Sequence, residues 1–216
     1  ILAAFSVFSL GQAKVLIERG SEWKYFKGTE QPASAEHSWW DAGFDDSAWV
    51  RGLAPFRYGD GQGGTFFRDM QRRYSTVFLR RTFEAKDFAA FSVLDLNVNF
   101  DDGFKILINS KLVLSINAPD NPRFSSVATE THESGQFEPF KISDIGSFLK
   151  KGANTIAIQA FNWSLTSSDF LIDAELVGIP KDFDEPKLVS VSPKPGKVSA
   201  LQTVTVRFSE PVHGVD

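Results

Sequence analysis

Residues 93–116 read VLDLNVNFDDGFKILINSKLVLSI. Leu94, Leu96, Val98 and Phe100 alternate with Asp95, Asn97 and Asn99, a period of two with one polar face. Asp101-Asp102-Gly103 interrupts the run with residues that favour a tight turn. Phe104, Ile106 and Ile108 resume the apolar face, Asn109-Ser110 supplies a second turn, and Leu112, Leu114 and Ile116 restart it. The stretch therefore predicts three strands joined by two hairpin turns, a meander at the centre of a sheet.

The flanking sequence continues in the same style. Lys14–Ile17 and Trp23–Phe26 predict a strand pair around Arg19-Gly20. Strands are expected over Tyr74–Phe83, Phe137–Ile142, Thr155–Phe161 and Phe170–Val177, with one helical turn over Ile145–Leu149. Trp39–Trp49, WWDAGFDDSAW, is aromatic without sheet spacing and is expected to plug one edge of a sandwich. Gly52–Thr65 is Gly-rich but lacks the Lys-Ser/Thr and the strand-to-helix setting of a phosphate loop, so it reads as a surface loop. Asn117–Gly135 is a long polar loop. Short strands, frequent turns and almost no helical periodicity predict an all-β, antiparallel β-sandwich of jelly-roll type. Pro180–Pro186, PKDFDEP, reads as a linker. Leu188–Val191 and Val204–Phe208 read as two strands opening a second β domain.

Composition narrows the function classes. The chain has 216 residues, 21 of them Phe and 5 Trp, enough for a large aromatic core. A net charge of -4 gives no electrostatic case for nucleic acid or an anionic membrane. The absence of cysteine removes disulfides, cysteine zinc sites and thiol catalysis. Residues 1–13, ILAAFSVFSLGQA, have the apolar core and small -3 and -1 residues of a signal peptide. They are too short to span a bilayer. The expectation is a secreted or cell-surface protein of several domains, with no membrane span.

Several residues recur in a recognisable order. They are Phe44-Asp45-Asp46-Ser47 with Trp49 and Gly52, Ala54-Pro55, Tyr58-Gly59-Asp60-Gly61, Tyr74, Phe78, Arg80-Arg81 and Phe83. Asp101-Asp102-Gly103 with Asn109, Gly152 with Asn154, and Ser167-Ser168-Asp169 follow. Over about Trp23 to Val177 this series resembles galactose-binding-like jelly-roll modules of large exported bacterial proteins. It is similar to the N-terminal sugar-binding domain of family 2 glycoside hydrolases. Ser110 stands where that pattern has glycine after Asn109. From residue 187 onward, Ser192-Pro193, Gly196 and Phe208-Ser209-Glu210-Pro211-Val212 resemble the opening of a bacterial Ig-like domain, a spacer type. The expected organisation is a signal-peptide remnant (1–13), a galactose-binding-like domain (14–180), a linker (181–186) and an incomplete Ig-like domain (187–216).

The resemblance implies a non-catalytic carbohydrate-binding or attachment module. A purely structural module packed against neighbouring domains, or an accessory domain of an exported hydrolase with its active site elsewhere, are the alternatives. His37, His132 and His213 have no partner at ligand spacing, and no G-x-S-x-G or H-E-x-x-H signature occurs, so no enzyme is expected in this segment. Sugar sites combine aromatic faces with planar polar groups. The loop residues of that chemistry are Arg57, Tyr58, Asp60, Asn117, Asn121, Arg123, Asn162 and Trp163, where Tyr58 and Trp163 could instead close the ends of the sandwich. No cofactor is expected other than a calcium ion. Asp101 and Asp102 are the candidate ligands, since calcium takes hard oxygen donors, with an Asx turn as the alternative use of the same residues.

Overall fold

The computed structural model describes residues 13–32, 36–181, 187–192 and 203–209. The expected signal peptide, except Ala13, and most of the expected linker lie outside these. The chain divides into two compact units, 1–181 and 182–216. In the first, the strands are β1 (Lys14–Ile17), β2 (Glu22–Lys27), β3 (Val50–Leu53), β4 (Phe56–Tyr58), β5 (Thr65–Phe66) and β6 (Thr76–Ala85). They continue with β7 (Phe91–Asp101), β8 (Gly103–Ile108), β9 (Lys111–Ile116), β10 (Glu138–Ile142), β11 (Gly152–Phe161) and β12 (Phe170–Pro180). One sheet has the order β10-β7-β12-β4-β5, with β1 also paired to β12. The other has the order β3-β2-β6-β11-β8-β9. Apart from the short parallel pair β4–β5, all pairs within these sheets are antiparallel. In the second unit, β13 (Leu188–Ser192) and β14 (Thr205–Phe208) form an antiparallel pair.

The all-β sandwich is as expected, but the meander is not. β7 lies in the first sheet, between β10 and β12, whereas β8 and β9 lie at the far edge of the second. Asp101 pairs with Leu171 of β12, and Gly103 pairs with Phe161 of β11. The Asp101–Gly103 corner is thus a crossover between sheets. The apolar faces of β7 and β8 meet across the core, where the Phe100 and Phe104 rings pack edge to face at 4.7 Å. Period-two alternation turns the same residues inward for a hairpin or a crossover, so the pattern does not separate the two. Gly103 serves close approach here, because a Cβ on it would lie 2.6 Å from the Asn117 carbonyl oxygen. The second turn is a true two-residue hairpin. Asn109 and Ser110 have φ of 47° and 70°, the double left-handed geometry of a type I′ turn.

The same kind of crossover separates β1 from β2, which were expected to pair. β1 joins β12 and β2 joins β3 and β6. Gly20, at φ 68°, makes the corner, and its N–H donates to both carboxylate oxygens of Asp173 at 3.2 and 3.0 Å. The Gly52–Thr65 segment is not simply a surface loop. It contains β4, whose Phe56 is fully buried, after a cis Ala54–Pro55 bond.

The main core fills the space between the sheets. Leu94, Leu96, Val98 and Phe100 of β7 and Ile172, Ala174 and Leu176 of β12 face Val77 and Leu79 of β6. Ile156 and Ile158 of β11, with Ile106 and Ile108 of β8, complete that face. At one end, two motif residues lock the turns together. Asn109 Nδ2 donates to Asn154 Oδ1 at 2.7 Å, and Asn154 Nδ2 donates to the carbonyls of Lys150 and Gly152 at 2.9 and 2.8 Å. Asn109 Oδ1 accepts the Thr155 N–H at 3.0 Å. Asn154→Ala leaves these part-buried groups without their partner, at about 1–3 kcal/mol for each that water does not reach. The expected loss is about 3 kcal/mol in urea denaturation; a loss below about 0.5 kcal/mol would show that water replaces the side chain.

Candidate functional site

A second, smaller core sits outside the sandwich. Phe78 and Ala157 point outward from β6 and β11, and Trp39, Phe44 and Trp49 cover them, with Phe26, Trp40 and Phe124 packed around. The Trp39 ring meets Phe78 at 4.9 Å and Trp40 at 5.5 Å, both edge to face. The Trp39–Trp49 segment therefore covers the outer face of the second sheet, where an edge plug was expected. Arg80, 3% exposed, anchors it. Its Nε donates to Asp46 Oδ2 at 2.8 Å, its Nη1 donates to the Trp39 carbonyl, and its guanidinium lies 5.3 Å from the Phe44 ring centre. Burial pushes the Asp46 carboxyl up, but hydrogen bonds from Lys24 and Arg80 outweigh it and hold the group below its ordinary value.

The long polar loop is pinned to the same face by polar side chains at the strand ends. Thr76 Oγ1 donates to the Phe124 carbonyl at 2.6 Å, Ser75 Oγ to the Ser126 carbonyl at 2.7 Å, and Gln159 Nε2 to the Arg123 carbonyl at 3.0 Å. Ala128 N–H donates to the Asn162 carbonyl at 3.0 Å. Buried Ser75, Thr76 and Gln159 are thus satisfied by loop backbone.

Between these two covers a cleft of about 370 Å³ remains. Leu107, Leu112 and Lys105 contribute from β8 and β9, Trp39 and Trp40 from one side, and Asp120–Arg123 from the other, with Gln159 between. Lys105 Nζ donates to the Asp120 carbonyl at 2.7 Å and so ties the sheet to the loop. Ser110 has a role here that its place in the hairpin does not reveal. Its hydroxyl donates to Asp41 Oδ1 at 2.6 Å, which fastens the residue next to Trp40 to the β8–β9 turn. Of the sequence candidates, Asn121 and Arg123 line this cleft. Trp40, Lys105 and Gln159 were not among them, because only the outer-face register brings them beside the loop.

The other candidates fall elsewhere. Arg57 is turned onto its own loop, with Nε donating to the Gly63 carbonyl at 2.8 Å and the guanidinium 5.0 Å from the Phe66 ring centre. Asp60 is exposed in the same loop. Tyr58 is buried; its hydroxyl donates to the Ser167 carbonyl at 2.5 Å and accepts Asn162 Nδ2 at 3.0 Å. Burial first, and then the carboxylates of Asp169, Asp101 and Asp102, hold its phenol above the ordinary value. Asn162, 1% exposed, also donates to the Asp169 carbonyl at 3.0 Å. Asn117, at φ 49°, donates to the Asp102 carbonyl at 2.9 Å. Tyr58, Asn117 and Asn162 thus join loops together. Trp163 is 46% exposed, but it does not line the cleft.

The two aspartates of the crossover separate in role. Asp102 accepts the N–H of His132 at 3.1 Å and of Trp163 at 2.6 Å, one on each carboxylate oxygen, so it ties two loops to the corner. Asp101, 4% exposed, is instead grouped with Glu133 and Asp169, whose carboxylate oxygens lie within 4.8 Å of one another. One calcium at about 2.3–2.6 Å from each oxygen would fit that spacing. Asp101, Glu133 and Asp169 are thus the residues that could hold the ion; Asp102 is less suited. Burial, followed by the charges of Asp169, Asp102 and Glu133, raises the Asp101 carboxyl to about 7.

No helix among the described residues is long and apolar enough to cross a membrane. No family model and no curated relative matches the chain. Among solved structures it is similar to a β-glucuronidase of an uncultured Clostridium sp., at 14% identity and a TM-score of 0.49, over 96% of this chain and 36% of that one. It is similar to Bacteroides uniformis β-glucuronidase 2 bound covalently to cyclophellitol-6-carboxylate aziridine, at 16% identity and a TM-score of 0.48, over 84% and 21%. A β-glycosidase from Bacteroides vulgatus is similar at 14% identity and a TM-score of 0.45, over 79% and 20%. The chain spans between 20% and 36% of the length of these three proteins.

Proposed function

We propose that the sandwich is a non-catalytic carbohydrate-binding module of an exported protein, with its sugar site in the cleft between Trp40 and the Asp120–Arg123 segment. One observation carries this reading. A half-buried indole and two outward leucines adjoin Lys105, Asn121, Arg123 and Gln159 in a single cleft. Sugar rings present an apolar C–H face and equatorial hydroxyls, which such a lining suits. Its edges are pinned by the Ser110–Asp41 and Lys105–Asp120 bonds, so little ordering is left to occur on binding. The apolar run and small residues of 1–13 support export.

A broad glycan array followed by calorimetry on the best ligand tests the reading. Trp40→Ala is expected to weaken binding about tenfold, the equivalent of about 1.4 kcal/mol, without moving the melting temperature by more than a few degrees. Ser110→Gly keeps the left-handed turn but releases Asp41, so affinity falls by a smaller factor at unchanged stability. Trp163→Ala leaves binding unaltered. The reading fails if no glycan binds, or if the Trp40 variant binds as tightly as the parent.

A further inference from the structure

The outer face of the second sheet carries another cleft, of about 290 Å³, on the opposite side of the aromatic cover. It spans β3, β2 and β6, whereas the Trp40 cleft spans β11, β8 and β9. In it, Lys24 stands directly opposite Arg51 on one neighbouring strand and Arg80 on the other. Three cations in one cross-strand row repel unless something neutralises them. Asp46 bridges two of them, at 2.6 Å to Lys24 Nζ and 2.8 Å to Arg80 Nε. Glu22 pairs with Arg51 at 2.8 Å. Arg81, on the alternate face of β6 with Leu79 and Phe83, reaches the same lining from the end of the sheet, and its Nη1 donates to the neutral backbone carbonyl of Glu22 at 3.0 Å. The lining thus holds Lys24, Arg51, Arg80 and Arg81 against only Glu22 and Asp46. This excess of positive charge sits on a chain whose net charge is -4. Burial also holds the Arg81 guanidinium below its ordinary value, so this cation is short of solvation. Thr82 supplies a hydroxyl in the same lining.

We propose that this cleft is an anion site that takes the carboxylate or sulfate group of an acidic saccharide. Guanidinium groups pair two N–H donors with two oxygens of a carboxylate or a tetrahedral oxyanion such as sulfate. The cleft is of single-sugar size, near the lower limit of ligand pockets at about 300 Å³. Arg51 at the edge strand is exposed and forms the entrance, while Arg80 is the buried, fixed charge behind it. The site stands independently of the Trp40 cleft.

Calorimetric titration of the full chain with a hexagalacturonate, a sulfated hexasaccharide and a neutral hexasaccharide is the test. At about 20 mM salt the acidic ligands bind, and the neutral one does not compete for the site. Raising salt to about 200 mM weakens acidic binding several-fold, since screening shortens the reach of exposed charge. The carboxylate and sulfate arms identify which anion is preferred. Arg51→Glu, on an exposed side chain, and Arg81→Gln each reduce affinity at least tenfold, while Trp40→Ala leaves it unchanged. The proposal is overturned if no acidic ligand binds at low salt, if the neutral one displaces the acidic ones from the site, if neither arginine variant weakens binding, or if Trp40→Ala abolishes it. Circular dichroism of each variant separates lost binding from lost fold.

Discussion

Replacing Arg80 with methionine will lower the unfolding free energy by about 3–5 kcal/mol, the usual cost of breaking a buried ion pair from one side. Arg80 is almost wholly enclosed, between strand β6 and the Trp39–Trp49 cover. Methionine roughly fills the space but leaves the Trp39 carbonyl without its donor and removes one of the two cations that hold Asp46. Part of the loss is the aromatic cover itself. Without the guanidinium, the Trp39 carbonyl above Phe78 loses its donor, and the cover keeps its ring contacts and the Lys24–Asp46 and Ser110–Asp41 bonds. Equilibrium denaturation of Arg80→Met, Asp46→Asn and the double variant measures the coupling as a cycle. The double variant is expected to be more stable than the two single losses add up to, because it leaves neither the Asp46 carboxylate short of a cation nor the Arg80 guanidinium without its carboxylate. A loss under about 1 kcal/mol for Arg80→Met would show that the cover does not depend on the Arg80 guanidinium. On the proposed carbohydrate-binding reading, the same variant also weakens glycan binding at the Trp40 cleft, since Trp40 follows Trp39 in the chain and packs on it.

The second large effect is a decline in stability as pH rises from about 4 to about 7. Asp101 is raised to about 7 and Asp173 to about 6, both chiefly by burial. Their unfolded values lie near 3.8. Between those limits the folded chain therefore holds protons that the unfolded chain has released. Stability then falls with increasing pH, and flattens above about 7. Each tenfold in proton affinity is about 1.4 kcal/mol, so Asp101 alone accounts for on the order of 3–4 kcal/mol between pH 4 and 8. Asp173 keeps a partial compensation in the single Gly20 N–H, shared between its two carboxylate oxygens, and in nearby Arg19. Asp101→Asn, which stays neutral, is expected to flatten most of the profile and to raise the melting temperature at pH 8. A melting temperature that is constant across pH 4–8 would contradict the retention of protons by these buried carboxyls. Millimolar calcium separates two uses of the Asp101, Glu133 and Asp169 cluster. A bound ion displaces the proton and raises stability at pH 8, an effect that chelation reverses. A cluster without an ion responds to neither.

Most of the strands were legible in the sequence because each carries period-two alternation bounded by turn residues. β7, β8, β11 and β12 are long runs in which apolar residues recur at every second position, and burial of one face of a strand demands that pattern. The hairpin at Asn109-Ser110 was equally legible, since two consecutive positive φ angles favour asparagine and tolerate serine there. Which sheet a strand joins was not legible. A hairpin and a crossover at Asp101–Gly103 place the same side chains inward, and the choice rests on contacts with β11 and β12, far along the chain.

The candidate site divides in the same way. Asn121 and Arg123 could be named from loop composition, because a polar, planar side chain in a loop is a reasonable ligand group. Tyr58, Asn117 and Asn162 have the same composition but are consumed as donors and acceptors between loops. Ser110, the departure from the glycine of the resembled pattern, signalled only a different turn, and its bond to Asp41 crosses 69 residues.

By itself, then, the sequence determined an all-β sandwich, the inward and outward faces of its strands, and a chain of net charge -4 without cysteine. Only the tertiary structure decided that Trp39–Trp49 lies on the outer face of the second sheet, that Trp40 comes beside Asn121 and Arg123, and that Lys24, Arg51 and Arg80 form one row. The physical reason is range. Alternation, turn preference and composition act between near neighbours, whereas a cleft is made by side chains that share a face only after strands distant in sequence have paired.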